Sequence, residues 1–242
     1  WKLFANANTS FGSMQYFQLT KGGNGNQPAP GLTAEKAHTY EFGTRYDDTV
    51  VKAEATLFYI DFDNQLQYIS NDVGWTNMGA TKHKGIELAL SYDLSELNRA
   101  LDGASVYTSY TYTKASTDKG DFAGKDLPFY SRQVYTVGTR YATGNWVWNL
   151  DGYAQSKQHS PGTGPEYVTQ ESADGQFGNI AGYMVWNMRG EYNFGPQLSN
   201  LTLGAGVKNL FDQRYFTRSN DNNFGKYVGE PRTFFVQGSV AF

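Results

Sequence analysis

The residue types that could do chemistry in this chain are few and scattered. His38, His83 and His159 are too far apart for His-x-His or His-Glu-x-x-His zinc spacing, so each reads as an ordinary polar residue near a strand end. Gly22-Gly23-Asn24-Gly25 and Pro161-Gly162-Thr163-Gly164-Pro165 lack the Gly-Lys-Ser/Thr ending of a phosphate loop and read as flexible turns. Asp61-Phe62-Asp63-Asn64 and Asp221-Asn222-Asn223 gather oxygen ligands without the glycine and distal glutamate of a calcium loop. There is no cysteine, hence no thiolate ligand or disulfide, and no Ser, His and Asp set stands out. The reading is of a protein that is not an enzyme.

The elements that must position these residues are strands. Charged residues are 18% against about 25% in an average soluble domain, while aromatics reach 16% and glycines number 27. That mixture is too aromatic for a disordered chain and too poor in Ala, Leu, Glu and Lys for a helical bundle. A net charge of -3 gives no electrostatic case for nucleic acid. The longest uncharged run near the start, Leu3 to Thr20, is studded with Asn, Ser, Gln and Thr, which excludes a membrane helix there. A membrane β-barrel remains open, because its strands alternate apolar with polar residues and so tolerate a mean hydropathy of -0.57.

Alternation is what the chain shows. Phe234, Val236, Gly238, Val240 and Phe242 share one face, with only Phe235 out of phase. The same period predicts strands at Tyr40 to Tyr46, Val51 to Tyr59, Ile86 to Tyr92, Val106 to Tyr112, Tyr135 to Tyr141, Trp146 to Ala154, Met184 to Tyr192 and Leu201 to Val207; a weaker one at Trp1 to Thr9 makes ten. Connections alternate strictly. Short ones are Asp47 to Thr49, Leu94 to Gly103, Thr143 to Asn145 and Gly195 to Asn200. Long ones are Ser10 to Glu35, Ser70 to Lys82, Ser116 to Tyr130, Gln158 to Ala181 and Ser219 to Glu230. Tight turns at one end and long loops at the other predict an all-β fold, an antiparallel up-and-down transmembrane β-barrel. Aromatic pairs such as Tyr40 with Tyr46, Tyr59 with Tyr68, Tyr135 with Tyr141 and Trp146 with Trp148 fit interfacial girdles. Glu41, Arg45, Lys52, Glu54, Glu87, Asp151, Arg189, Glu191 and Lys208 fall on the other face, where charges of both signs require a wet or protein-filled lumen.

One stretch carries a family likeness. Gly206-Val207-Lys208-Asn209-Leu210-Phe211-Asp212-Gln213-Arg214-Tyr215-Phe216, then Gly229-Glu230-Pro231-Arg232-Thr233-Phe234 running to Phe242, resembles the closing strands of TonB-dependent outer-membrane transporters. Glu35 to Tyr46 and His83-Lys84-Gly85-Ile86-Glu87 look like other strands of that family, with Ala34 where its motif has Pro. Gly43 to Asp48, Glu171 to Gly175 and Tyr215 to Asn223 are most similar to receptors of the ferric citrate type.

The resemblance implies a barrel of about 22 strands around a plug. The ten strands here would then be its C-terminal part, residues 1–242, with plug and N-terminal strands absent. It implies location in the bacterial outer membrane and import of a ferric chelate, ferric citrate first, into the periplasm. It further implies coupling through the plug to TonB-ExbB-ExbD, contact with outer-membrane lipid and lipopolysaccharide, no resident cofactor since iron is cargo, and no nucleic acid. A ferric citrate polyanion needs Arg, Lys and amide donors held away from bulk water, and the loops offer Arg218, Lys226, Asn222, Asn223, Gln67 and Trp75. Of these only Asn222 falls, by motif, on a family citrate contact. The alternatives are a receptor for another siderophore, or a small closed barrel serving as porin, adhesin or phage receptor, in which the first and last strands would pair. Phe242 resembles the signal read by the outer-membrane assembly machinery.

Overall fold

The computed structural model describes residues 1–19, 31–70, 74–77, 79–119, 123–160, 172, 177–219 and 225–240. In chain order the strands are β1 (Lys2–Gly12), β2 (Glu35–Asp47), β3 (Val51–Asp63), β4 (Leu66–Ser70), β5 (Gly74–Asn77) and β6 (Thr81–Asp93). Next come β7 (Ala104–Thr117), β8 (Gln133–Thr143), β9 (Trp146–Gln155), β10 (Gln158–His159) and β11 (Asn179–Ile180). The last are β12 (Tyr183–Asn193), β13 (Thr202–Lys208), β14 (Phe216–Ser219), β15 (Lys226–Val228) and β16 (Thr233–Ser239). Ten of them form one antiparallel sheet in meander order, β1-β2-β3-β6-β7-β8-β9-β12-β13-β16, and the other six make three hairpins inside the long connections. Among the described residues β1 and β16 stand at opposite edges and do not pair, so the sheet is an open section of wall rather than a closed ten-stranded barrel.

The register confirms the two faces. Tyr40, Phe42, Leu57, Leu88, Trp148 and Met188 share the apolar side, and its outermost members are bare: Phe42 is 56% exposed, Leu57 55% and Val236 82%. Such a surface in water is an aggregation liability; in hydrocarbon it is the solvated face. No helix among the described residues is long and apolar enough to cross a membrane, and crossing falls to strands. About 9–11 residues suffice for a tilted strand. The 13-residue β2, β3 and β6 therefore project beyond the hydrocarbon at the end carrying the long connections.

Two sequence expectations are corrected. Tyr68 belongs to the β4–β5 hairpin, so it is not a wall partner of Tyr59 in a girdle; β3 ends at Asp63 because Asn64 takes φ 58° and turns the chain out of the sheet. The first strand is also longer than expected, since β1 pairs with β2 as far as Gly12 opposite Glu35. The out-of-phase Phe235 has a reason. It points to the polar face, where its ring lies over Gly206; a Cβ at Gly206 would sit 2.5 Å from Phe235 Cζ.

That pairing recurs. Phe4 covers Gly43, Phe58 covers Gly85, Tyr107 covers Gly138, and on the apolar face Trp186 covers Gly152 and Trp148 covers Gly190. Each glycine opens a notch in which a ring from the next strand lies flat, so the glycine's bare backbone is shielded and the ring gains a contact surface.

The short connections are held by side chains. In the β2–β3 turn Asp48 Oδ1 accepts the N–H groups of Val50 (2.8 Å) and Val51 (2.7 Å), and the Tyr46 hydroxyl donates to the same carboxylate. The Tyr46 hydroxyl, then these two N–H groups, hold the Asp48 carboxyl below the usual carboxylate range.

At the opposite end, Asn209 does the same work for the Lys-Asn-Leu-Phe-Asp run. It is 3% exposed and takes φ 48°, a left-handed conformation that asparagine tolerates better than most residues. Its Nδ2 donates to the carbonyls of Gln213 and Glu230 (both 2.9 Å), and its Oδ1 accepts Gln213 N–H (2.8 Å). Its own N–H donates to Asn187 Oδ1 (3.0 Å), tying it to β12. Asp212 Oδ1 accepts the Arg232 N–H at 3.0 Å, and Lys208 pairs with Glu230 at 3.3 Å. The motif is a staple joining the end of β13 to the start of β16.

Three outcomes follow for full-length protein refolded in detergent, read from urea midpoints. Gly85→Ala puts a Cβ 1.8 Å from the Tyr112 carbonyl oxygen and 2.8 Å from the Phe58 ring, and should cost about 1–3 kcal/mol. Gly204→Ala, whose Cβ meets only the flexible Gln237 and Glu191 side chains at 3.2 Å, should cost less. Asn209→Ala orphans buried carbonyls and should cost about 1–3 kcal/mol, and Asn209→Asp, which sets a carboxylate against two carbonyl oxygens, at least as much. For Asp48 the folded pKa lies below the unfolded one, so its contribution is full above the ordinary carboxylate range and lost as pH falls through the folded value. The stability gap between parent and Asp48→Ala should accordingly close in acid; a gap unchanged by pH would show that the carboxylate charge is irrelevant to the turn.

Candidate functional site

The polar face and the rim of long connections form the site. On the polar face charges are paired locally. Arg45 meets Glu54 at 2.7 Å, Arg189 bonds Glu191, and Asn187 donates to Asp151 at 2.9 Å. The nine charges read onto this face do lie on it, because their strands pair in a register that keeps them on the same side.

Above this face three connections are joined into a platform. The segment after β7 folds back along it: Gly124 N–H donates to the Thr117 carbonyl (2.7 Å) and Leu127 N–H to that of Ala115 (3.0 Å). Asp126 then pairs with Arg132 at the start of the next strand. Phe129, held at φ 61°, donates its N–H to the His159 carbonyl at 2.8 Å. The second connection carries the β10–β11 hairpin, pinned by Ser160, whose Oγ accepts the Gly178 N–H at 2.8 Å. Gln158 Nε2 reaches the third connection at the Thr217 carbonyl, 2.5 Å away. Leu127, Ile180, Ser160 and Gln158 are buried beneath it.

Two of the expected ligand residues sit on this platform. Arg218 places its guanidinium carbon 4.4 Å over the Phe129 ring. Lys226, one register step away in β15, lies 5.7 Å over Phe216 and donates to the Asn179 carbonyl at 3.4 Å. Gln67 and Trp75 lie elsewhere, on the β4–β5 hairpin, with Gln67 opposite Thr76 and Trp75 opposite Tyr68. That hairpin is anchored by Glu35 Oε1, which accepts Leu66 N–H at 2.6 Å, and by Asn77, which bridges to Thr33 and Asn64. The structure thus carries Arg218 and Lys226 on one hairpin and Gln67 and Trp75 on another, but in each the one-residue offset in register sets the two residues on opposite faces. Asn222, Asn223, Phe242, the runs 22–25 and 161–165, and most of 171–175 lie outside the described residues.

The histidines are structural in their contacts. His38 bonds Thr9 Oγ1 at 2.9 Å, His83 is buried between the rings of Phe62 and Tyr130, and the His159 carbonyl holds Phe129. Among the described residues no group of three or more His, Cys, Asp or Glu is placed to hold a metal. One feature was missed from the sequence: Tyr153, Tyr183 and Tyr215 stack in succession on the polar side of the rim, with ring centroids 6.1 and 4.1 Å apart. The signal was available. Tyr153 and Tyr183 are in phase with Asp151 and Arg189, not with Trp148 and Met188.

Comparison with known proteins agrees with this geometry. Residues 1–210 match the family described as TonB dependent receptor-like, beta-barrel. The crystal structure of the ferric citrate transporter FecA in the unliganded form superposes with a TM-score of 0.82 at 42% identity, covering 98% of this chain and 35% of that one. The metal-pseudopaline receptor CntO of Pseudomonas aeruginosa is 28% identical over 95% of this chain and 30% of its own length. A probable TonB-dependent siderophore receptor, PiuA of Acinetobacter baumannii, is 24% identical over 78% of this chain and 24% of its own length. The chain therefore spans about a third or less of the relatives it matches. By its sheet, its sorted connections and these matches, the chain belongs to the TonB-dependent receptors of the bacterial outer membrane, within their β-barrel.

Proposed function

We propose that this chain is the C-terminal part of the barrel of a receptor that captures ferric citrate at the cell surface and admits it to the periplasm. Energy would come from TonB-ExbB-ExbD, acting on a plug contributed by other parts of the protein. The observation that carries the substrate is the 42% identity over 98% of the chain to the ferric citrate transporter. The rim chemistry supports it. Ferric citrate presents carboxylate oxygens, and a guanidinium held over a ring face keeps its orientation while its N–H edges can serve such oxygens in pairs. Arg218 over Phe129 is built this way, while Lys226 stands on the other face of the same hairpin, over Phe216. Asn222 and Asn223 belong to the same connection and would add amide donors to the chelate. Because the Arg218 support comes from the connection after β7 and its neighbour Thr217 is held by Gln158, all three connections contribute to one binding surface. A second reading, a receptor for another metal chelate, is favoured by the 28% identity to the metal-pseudopaline receptor.

Titration of purified full-length protein with ferric citrate, a ferric hydroxamate and metal-loaded pseudopaline separates the readings. Ferric citrate should bind tightest, and saturation by either of the others with no response to ferric citrate would overturn the assignment. Arg218→Ala should weaken ferric citrate about ten- to a hundredfold, the loss of a hydrogen bond to a charged partner. Lys226→Ala should weaken it less, since its ammonium already serves the Asn179 carbonyl.

A further inference from the structure

The apolar face holds a charge arrangement that transport does not explain. The register sets Ala7, Tyr40, Tyr59, Lys84 and Lys114 in one row across five adjacent strands. Lys84 and Lys114 stand directly opposite each other on β6 and β7. Like charges so placed repel, with Cβ atoms about 4.5–5.5 Å apart in such positions. No ion pair is made by either ammonium among the described residues, and two of the nearby carboxylates serve other lysines. Asp118 holds Lys82 at 2.6 Å, Asp63 lies 4.0 Å from Lys119, and Asp61 stands opposite Lys82 and His38. No direct ion pair among the described residues therefore offsets the repulsion, although Asp61 stands diagonal to Lys84 on the same face.

The height of the pair on the wall says what completes it. Toward the short-turn end the next row is Phe42, Leu57, Ile86 and Tyr112, the start of the hydrocarbon-facing belt. Toward the long connections the rows carry His38, Asp61 and Lys82, then Lys36 and Asp63. The two ammonium groups thus lie beside the Tyr40–Tyr59 girdle, where hydrocarbon meets headgroup, in the outer leaflet that faces the long connections. We infer that Lys84 and Lys114 together bind the phosphate of a phosphorylated lipid headgroup, whose acyl chains lie along Leu57, Ile86 and Leu88. A dianionic phosphate between two ammonium groups turns their repulsion into two charge-assisted hydrogen bonds. Their long alkyl stems allow both to reach the headgroup level while covering apolar wall. Free phosphate shares the charge but has no chain to lay on that belt. The inference does not depend on which chelate the receptor carries.

Native mass spectrometry of the full-length receptor in detergent, titrated with diphosphoryl lipid A, tests it. Lys84→Gln should weaken binding about fivefold and Lys84→Gln/Lys114→Gln roughly twenty- to thirtyfold, at about 1 kcal/mol per lysine near an anionic surface. Lys84→Arg/Lys114→Arg should retain it. Lys114→Glu should abolish the binding while raising the urea midpoint of the lipid-free protein, because it replaces the repulsion by an opposite-charge pair; that second readout also shows that the variant folds. Equal lipid A affinity in the double glutamine variant and the parent would overturn the site. Displacement of lipid A by inorganic phosphate, with ionic strength held constant by chloride, would overturn the lipid as its occupant.

Discussion

Hydrocarbon offers no partner to a peptide N–H or carbonyl, and most of what this chain does follows from that. Every wall strand must give its backbone groups to its neighbours, so the ten strands lie side by side in sequence order with continuous ladders between them. Once the ladders are fixed, side chains alternate by necessity, and the chain divides into a face that lipid can wet and one that must be paired or hydrated. The edges β1 and β16 are where this requirement is left open among the described residues.

Where the strands leave the membrane, water and side chains take over, and the rim is correspondingly varied. Asn209 replaces a ladder with a buried side-chain amide that makes three hydrogen bonds to backbone groups, while its own N–H makes a fourth to Asn187. The platform beneath Arg218 is likewise made from backbone bonds between connections rather than between wall strands. A rigid sheet thus supports a rim whose shape is set by a few side chains, which is how one wall can serve receptors for different chelates.

The wall was legible because period two is imposed on every strand by the same physics. Glu41, Arg45, Asp151 and Arg189 could be assigned to the polar side from parity alone, and the sorting of short and long connections disclosed the up-and-down order. The three rim hairpins were not legible. The segment from Leu66 to Asn77 is too short and too polar to show a face, and it is anchored by Glu35 and Thr33, distant in sequence. Tyr68 was misassigned for that reason: an aromatic in a hairpin looks like an aromatic at a strand end. Phe235 is visible as a break in the alternation, and the parity of Tyr183 with Arg189 places its ring on the polar side. Of the expected ligand residues, Arg218 and Lys226 share one strand pair but face opposite sides of it, and nothing local in the sequence could show that Phe129 would lie beneath Arg218.

The rings seated over glycines make these positions inherit together. Phe4 with Gly43, Phe58 with Gly85 and Phe235 with Gly206 are far apart along the chain yet each is a single unit of shape. Enlarging the glycine alone evicts the ring, and trimming the ring alone bares the glycine's backbone, so either step is costly by itself. Drift in this wall should therefore move by coupled substitutions, with bulk passing from one member of a pair to the other while their sum stays nearly constant.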